Sequence, residues 1–306
     1  ERSSGKRRLY TGNIYPRRNQ QPQEVIVFPP CKINLGLRVL SKRSDGFHNI
    51  ETVFYPVPLH DALEVILPPQ TAGGAELSAN SGAGLFSTSG LAIDGSPTDN
   101  LCLKALQLLK DDFAEIGPLN IHLHKVIPLG AGLGGGSSNG AFMLSLLNEL
   151  FSLNLSSGKL AEYALQLGSD CPFFLLNRPC YAGKRGEHLE EIALDLSAYS
   201  LVLVNPGIHI NTGWAFSSIV PSSAGESLQE AIQEPVSAWK SVLVNDFEAP
   251  VFELYPEIRE IRDFLYQQGA LYSAMTGTGS TVFGIFPRKE NLVFPPACRH
   301  YTLSLS

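Results

Sequence analysis

Apolar and polar residues alternate early in the chain, where Ile33, Leu35, Leu37 and Val39 are interleaved with Lys32, Asn34, Gly36 and Arg38. A period of two marks a half-buried strand, so one face is predicted to pack while the other presents Lys32 and Asn34. The turn-rich run Ser41-Lys-Arg-Ser-Asp-Gly46 follows, and Ile50–Val57 and Ala62–Leu67 read as further strands on their branched and aromatic content. Between Pro68 and Pro97 the Gly, Ser and Ala content suits loops and short edge strands. Asp99 as N-cap, the spacing of Leu101, Ala105, Leu108 and Leu109, and the stop at Gly117-Pro118 predict a helix over roughly 100–116. Leu119–Val126 alternates as a strand, and Ala141, Met143, Leu144, Leu147 and Leu150 recur at helical spacing behind a glycine-rich loop.

Ser156 or Ser157 caps another predicted helix that ends at Gly168. Beyond about Tyr181 the pattern gives a strand at 199–205, helices near 211–219 and 256–268, the latter closed by Gly269, and a strand at 281–286. Pro295-Pro296 interrupts any final helix. Helices and strands intersperse without strict βαβ alternation, which predicts an α+β fold. A change of texture near residue 180 divides it into two lobes, 25–180 and 181–306.

Composition excludes several classes. With 306 residues, 44% hydrophobic and 17% charged, the chain is ordinary globular material. Its net charge of −6 offers no general field for nucleic acid or an anionic membrane. Five scattered cysteines form no C-x-x-C pair, and no apolar stretch approaches the length of a membrane span, so a reduced, cytoplasmic chain is expected. Residues 1–24 stand apart: Arg2, Lys6, Arg7, Arg8, Arg17 and Arg18 face only Glu1 and Glu24, without apolar periodicity. A basic, disordered extension is predicted there, either passive or a transit-like leader.

The strongest chemical signal is Pro128-Leu-Gly130-Ala131-Gly132-Leu133-Gly134-Gly135-Gly136-Ser137-Ser138. Glycines let backbone N–H groups approach phosphate oxygens, and the following helix adds its positive end. Gly130-x-Gly132-x-x-Gly135 matches a dinucleotide fingerprint, but the interval that should end a strand in an acidic residue is helical, leaving Glu149 in the wrong context. No lysine follows the glycines before Lys159, so a Walker A loop is also excluded.

This segment resembles the second motif of the GHMP small-molecule kinases, P-x-x-x-G-L-G-S-S-S, in the GLGGGSS form of the branch that acts on a cytidylyl alcohol. Lys32-Ile-Asn34-Leu with Arg43-Ser-Asp45-Gly46-Phe47-His48 is similar to that branch's K-[IL]-N-L and R-x-D-G-[YF]-H segments, and Met275-Thr-Gly277-Thr278-Gly279-Ser280 to the third GHMP motif. The resemblance runs from about Pro30 to Val282, in family order. It implies a two-lobed GHMP kinase fold, with an N-terminal lobe like domain 2 of ribosomal protein S5 and a ferredoxin-like C-terminal lobe. It also implies ATP-dependent phosphorylation of the 2-hydroxyl of 4-diphosphocytidyl-2-C-methyl-D-erythritol in non-mevalonate isoprenoid biosynthesis, by a monomer or weak homodimer.

Phosphoryl transfer needs in-line positioning, cations or N–H donors to spread negative charge, and a carboxylate to accept the hydroxyl proton. The resemblance assigns those last roles to Lys32 and Asp170, the latter in Gly168-Ser-Asp170-Cys-Pro172. By spacing alone Lys32 is a surface lysine and Asp170 a turn or cap residue. By the same resemblance Asn34 and His48 hold the cytidylyl end, Phe47 and Phe216 form a ring pair around the pyrimidine, and Thr212 lines that pocket, with His209 a weaker candidate. Many family members carry Tyr at the Phe47 position. Asn100, Leu101 and Lys104 border the adenine, residues 128–138 cradle the phosphates, and Gly277, Thr278, Gly279 and Ser280 close the site. Mg²⁺ is expected to arrive with ATP, with Ser137 or Ser138 as ligands and no dedicated metal cage.

His122 and His124, on one face of a strand, and Cys31, beside Lys32, are read as structural. Rival readings are another GHMP kinase acting on homoserine, mevalonate or a sugar, a non-catalytic nucleotide-binding or RNA-associated protein, and a nicotinamide oxidoreductase.

Overall fold

The computed structural model describes residues 23–68, 85–93, 95–223, 227–288 and 292–305. Its strands are β1 (Gln23–Val27), β2 (Pro30–Lys42), β3 (His48–His60), β4 (Ala62–Leu67), β5 (Phe86–Gly90), β6 (Asn120–Lys125), β7 (Cys180–Gly183), β8 (His188–Glu191), β9 (Ser200–Asn205), β10 (Tyr272–Met275), β11 (Val282–Phe286) and β12 (Arg299–Ser304). Its helices are α1 (Leu101–Asp112), α2 (Gly135–Leu150), α3 (Ser157–Leu167), α4 (Cys171–Leu176), α5 (Thr212–Ser217), α6 (Leu228–Ala231), α7 (Trp239–Val242), α8 (Glu248–Leu254) and α9 (Pro256–Gln267). Most of the predicted extension, residues 1–22, and most of the loop region after Pro68 lie outside the described residues. Strand β1 begins at Gln23, inside the stretch assigned to the extension.

Three four-stranded sheets organise the described chain, in the orders β1-β4-β6-β5, β2-β3-β7-β8 and β10-β11-β9-β12. All their pairings are antiparallel except β5 with β6. The division expected near residue 180 falls inside the second sheet, because β7 and β8 extend it from β3 and the chain leaves it only after Glu191. Long strands β2 and β3 slip register between Leu35 and Leu37, where Gly36 (φ +72°) is the unpaired residue of a bulge.

The half-buried reading of β2 fails at its polar face: Lys32 is 3% exposed and Asn34 2%. Alternation reports which face meets the hydrophobic core, and here a loop and the second lobe cover the other face. Helix α1 also differs at both ends. Asn100 Oδ1, not Asp99, accepts the capping bond from the Cys102 amide (2.9 Å), while Asp99 lies in a short 3-10 turn. The helix stops at Asp112, where two consecutive acids meet the negative end of the dipole and Phe113 turns extended to pack on the core.

One core lies beneath helices α1 to α4 and includes Leu109, Leu123, Leu144 and Phe173. A second spans the two lobes, joining Ile33 and Leu35 of β2 to Leu201, Leu203, Tyr272 and Phe283, so the lobes share buried apolar surface. A third, around Phe247, Val251, Leu265 and Phe286, fills the C-terminal lobe. Numbered within that lobe, its strands run 2-3-1-4, the ferredoxin-like order. Among the described residues no helix joins β11 to β12; Pro295-Pro296 occupies that connection, and proline supplies no N–H for helix propagation. Among the described residues no helix is long and apolar enough to cross a membrane.

Candidate active site

The covered face of β2 meets three loops. The Lys32 amide donates to Leu133 C=O (3.0 Å), which pins the glycine-rich loop across the strand. The Lys32 ammonium then donates to Asn34 Oδ1 (2.5 Å) and Gly132 C=O (3.0 Å) and stands 3.7 Å from Asp170 Oδ2. Burial pushes the Lys32 pKa below the usual lysine value, opposed by the Asp170 charge. Asp170 occupies the N-cap position of α4, yet its side chain makes no capping bond. Its carboxylate faces the lysine and the cavity instead.

The loop's conformation depends on glycine at two points. Gly132 (φ +78°) would place a Cβ 1.9 Å from Thr276 C=O, and Gly134 (φ +68°) one 2.9 Å from the Phe174 ring and 3.2 Å from Lys32 Cε. Helix α2 starts directly behind, and the Ser138 hydroxyl in its first turn is buried without a hydrogen-bond partner. Below it, buried Lys125 and Asp61 form an ion pair joined by Asn139, whose Nδ2 donates to Asp61 Oδ2 (2.9 Å). Asp61 Oδ1 also accepts the Val126 and Ile127 amides (2.7 and 2.9 Å).

The second lobe closes the site through Thr276, which the motif reading passed over in favour of its neighbours. The Thr276 hydroxyl accepts from the Asn34 amide (3.0 Å) and lies 3.1 Å from both Asn34 Oδ1 and Gly132 C=O. Asn245 Nδ2 braces the same loop through Met275 C=O (2.7 Å) and Gly277 C=O (2.9 Å). Ser280 Oγ donates to Ile208 C=O (2.5 Å). Thr52, also unforeseen, accepts from Asn34 Nδ2 (2.9 Å) and donates to Gly36 C=O (2.6 Å).

At the far end, the β2–β3 turn is built by its own charges. Arg43 Nη2 pairs with Asp45 Oδ2 (2.8 Å), Asp45 Oδ1 accepts the Phe47 amide (3.1 Å), and Gly46 takes φ +86°. This scaffold presents Phe47 and His48. His48 stacks on Phe216 (4.9 Å, 19°), and Phe47 lies under the Arg185 guanidinium (4.8 Å).

A cavity of about 1030 Å³ joins these parts. It brings together Lys32, Asn34 and Asp170, Gly130, Gly132 and Gly134 of the loop, and Gly277 and Thr278 of the second lobe. Phe47, His48, His209, Thr212 and Phe216 line it as well. Asn100, Leu101 and Lys104 do not: Asn100 caps α1, Leu101 abuts Gly140 of α2, and Lys104 pairs with Asp99 (3.6 Å). Pro128, Ala131, Leu133, Gly135 and Ser138 are buried in the loop's base, Gly136 and Ser137 partly so, and Gly279 and Ser280 are buried in the opposing loop. His122 and His124 hydrogen-bond to Ser87 and Ser89 on the surface of the first sheet. Burial pushes the Cys31 thiol up to about 12, which denies it thiolate character.

The family description "GHMP kinases N terminal domain" matches residues 100–178 and "GHMP kinases C terminal" residues 226–294. A 4-diphosphocytidyl-2-C-methyl-D-erythritol kinase of Bacteroides fragilis is 48% identical over 268 residues, 88% of this chain and 94% of the relative. One from Prosthecochloris aestuarii is 38% identical over 272 residues, 86% of this chain and 90% of the relative. A crystal structure of 4-(cytidine 5'-diphospho)-2C-methyl-D-erythritol kinase superposes with a TM-score of 0.69 at 32% identity, covering 85% of this chain and 90% of that one. A homoserine kinase from Cytophaga hutchinsonii, 13% identical, shares the fold with a TM-score of 0.65 over 96% of this chain and 98% of its own. With relatives this similar over nearly their full length, the chain belongs to the 4-diphosphocytidyl-2-C-methyl-D-erythritol kinase family of GHMP kinases.

Proposed function

We propose that the chain transfers the γ-phosphoryl group of ATP to the 2-hydroxyl of 4-diphosphocytidyl-2-C-methyl-D-erythritol, a step of non-mevalonate isoprenoid precursor biosynthesis. The carrying observation is that one cavity holds the Lys32–Asp170 pair, the glycine-rich loop and the aromatic turn at Phe47–His48. Asp170 accepts the proton of the hydroxyl, whose oxygen forms the new bond to the γ-phosphorus as the bond to the β–γ bridging oxygen breaks. ADP leaves, and the product is the 2-phosphate. Lys32 offsets the negative charge on the reacting oxygens, held in place by Asn34 and Gly132.

Backbone N–H groups of residues 130–136 and the positive end of α2 take the phosphates, with Asn100, Leu101 and Lys104 toward the adenine. Mg²⁺ fits the same place: the buried Ser138 hydroxyl has no protein partner, and the space around Gly136 is open. Ser137 or Ser138 would hold the ion, and it would shield phosphate charge. His48 reads the cytosine edge, Phe47 and Phe216 offer ring faces, Asn34 and Thr212 line the substrate end, and Gly277–Ser280 close the site from the second lobe. The enzyme acts as a monomer or weak homodimer in the cytoplasm, a setting that suits its five unpaired thiols.

The test is ADP release from Mg·ATP with the cytidylyl alcohol, run beside mevalonate, homoserine and galactose. Turnover confined to the cytidylyl alcohol is expected. Turnover of another alcohol instead keeps the phosphate site and discards the assignments of Phe47, His48 and Phe216.

A further inference from the structure

The pyrimidine end of the cavity contains a cation that the proposed reaction does not yet use. Phe47 is 51% exposed, and as a phenylalanine it has no hydroxyl by which neighbours can fix it; only its faces can be held. Arg185 supplies that hold from a separate element, the β7–β8 turn, with its guanidinium carbon 4.8 Å from the ring centroid. The turn itself is anchored. Ile50 N–H donates to Lys184 C=O (2.6 Å), Gly186 N–H to Gly183 C=O (2.9 Å), and Arg185 N–H to Glu187 Oε2 (2.7 Å). Glu187 Oε1 also lies 3.7 Å from Arg185 Nε, and the arginine side chain is only 24% exposed. A guanidinium braced by a carboxylate at its edge keeps its plane free to lie on an aromatic face.

Resting on the functional reading above, we propose that Arg185 is a positioning residue of the pyrimidine site. It holds the exposed Phe47 ring across the cavity mouth, so that a bound cytosine finds a fixed face to stack against. Two elements distant in sequence thereby cooperate, the Arg43–Asp45 turn fixing the Phe47 backbone and Arg185 fixing its ring. The guanidinium draws no proton and touches no reacting oxygen, so its effect falls on binding of the cytidylyl group and not on the transfer step.

The test uses the full chain and its Arg185→Gln, Arg185→Lys, Phe47→Leu and Phe47→Leu/Arg185→Gln variants. Cytidine diphosphate binding is measured by calorimetry, and steady-state kinetics are run with the cytidylyl alcohol. Arg185→Gln should raise the cytidine diphosphate Kd and the KM for the alcohol about two- to fivefold, the scale of an exposed cation–π contact, with kcat and the KM for ATP unchanged. Arg185→Lys should recover part of the loss, and Arg185→Gln should add nothing in the Phe47→Leu background. An unchanged or lower Kd overturns the proposal, the latter because it would mean that the guanidinium occupies the base's own place. A loss of equal size in the Phe47→Leu background also overturns it, since Arg185 would then act on the ligand's charge directly. These failures leave turnover of the cytidylyl alcohol by the unsubstituted protein intact. If that protein neither turns over the alcohol nor binds cytidine diphosphate, the functional reading itself falls, and this proposal with it.

Discussion

Lys32 Nζ and Asp170 Oδ2 stand 3.7 Å apart, and their surroundings are unequal: the lysine side chain is 4% exposed, the aspartate 35%. The ammonium is fixed by Asn34 Oδ1 and Gly132 C=O, whereas the carboxylate keeps access to the cavity and to an incoming hydroxyl. A fixed cation beside an accessible carboxylate is the asymmetry that the proposed alcohol phosphorylation would use.

Asp170→Asn preserves the shape and removes the proton acceptor. Turnover is expected to fall by about 10²-fold or more, while nucleotide affinity stays within about twofold, because the carboxylate lies outside the phosphate loop. Steady-state ADP release and a nucleotide titration check the two halves. Retained turnover would remove Asp170 from the base role.

Lys32 gives a pH dependence of definite sign. Its folded-state pKa lies below the usual lysine value because it is buried, and the Asp170 charge opposes that shift. The alkaline limb of kcat/KM is therefore expected below the ordinary lysine range, and Lys32→Arg should move that limb to higher pH at reduced rate. For stability, the folded chain releases this proton before the unfolded chain does. Between the two pKa values the unfolded state binds more protons, so this group's contribution favours folding as pH rises through that window. Denaturant titrations of the parent and Lys32→Met should show their difference shifting toward the parent across the window. A pH-independent difference would contradict the depressed value.

Thr276 carries a sharper structural prediction. Its hydroxyl lies within hydrogen-bond distance of the Asn34 amide, Asn34 Oδ1 and Gly132 C=O, so it ties the second lobe to both β2 and the glycine-rich loop. Thr276→Val leaves a buried amide unpaired and should cost about 1–3 kcal/mol, with a fall in kcat as Asn34 and Lys32 lose their register. Thr276→Ser keeps the oxygen and should recover most of both. Thermal unfolding and kinetics on the two variants decide it.

How far these residues were legible in sequence follows from what sequence patterns encode. The glycine loop announces itself because backbone proximity admits only glycine: a Cβ at Gly132 would sit 1.9 Å from Thr276 C=O. Strands β2 to β4 and helices α2, α3 and α9 were legible because each buries an apolar face at its own period, whichever part of the chain covers it. The burial of Lys32 and Asn34 was not, since what covers them comes from more than 90 residues away in the glycine loop and more than 240 away at Thr276. Thr276 was missed for the same reason: beside Thr278 in a small-residue loop, nothing local distinguishes the threonine that faces Asn34. The stacking of His48 on Phe216, with Phe47 left to Arg185, depends on side-chain direction, which linear motifs do not record.

The ion pair between Asp61 and Lys125 lies under the glycine-rich loop, with both side chains fully buried; a Cβ on Gly135, the first residue of α2, would sit 3.0 Å from Lys125 Nζ. Removing one partner strands the other charge in the interior, so Lys125→Met and Asp61→Asn should each cost about 3–5 kcal/mol. The asparagine still offers an oxygen to the Val126 and Ile127 amides that Asp61 now binds. The double variant therefore leaves no buried charge and should be less destabilised than the sum of the singles by about 1–3 kcal/mol. Because the pair supports the start of α2, the single variants should also raise the KM for ATP more than that for the alcohol. Additive losses in denaturant unfolding would show that the two residues do not act as a unit, and equal effects on both substrates would show that they support the lobe as a whole and not the phosphate loop.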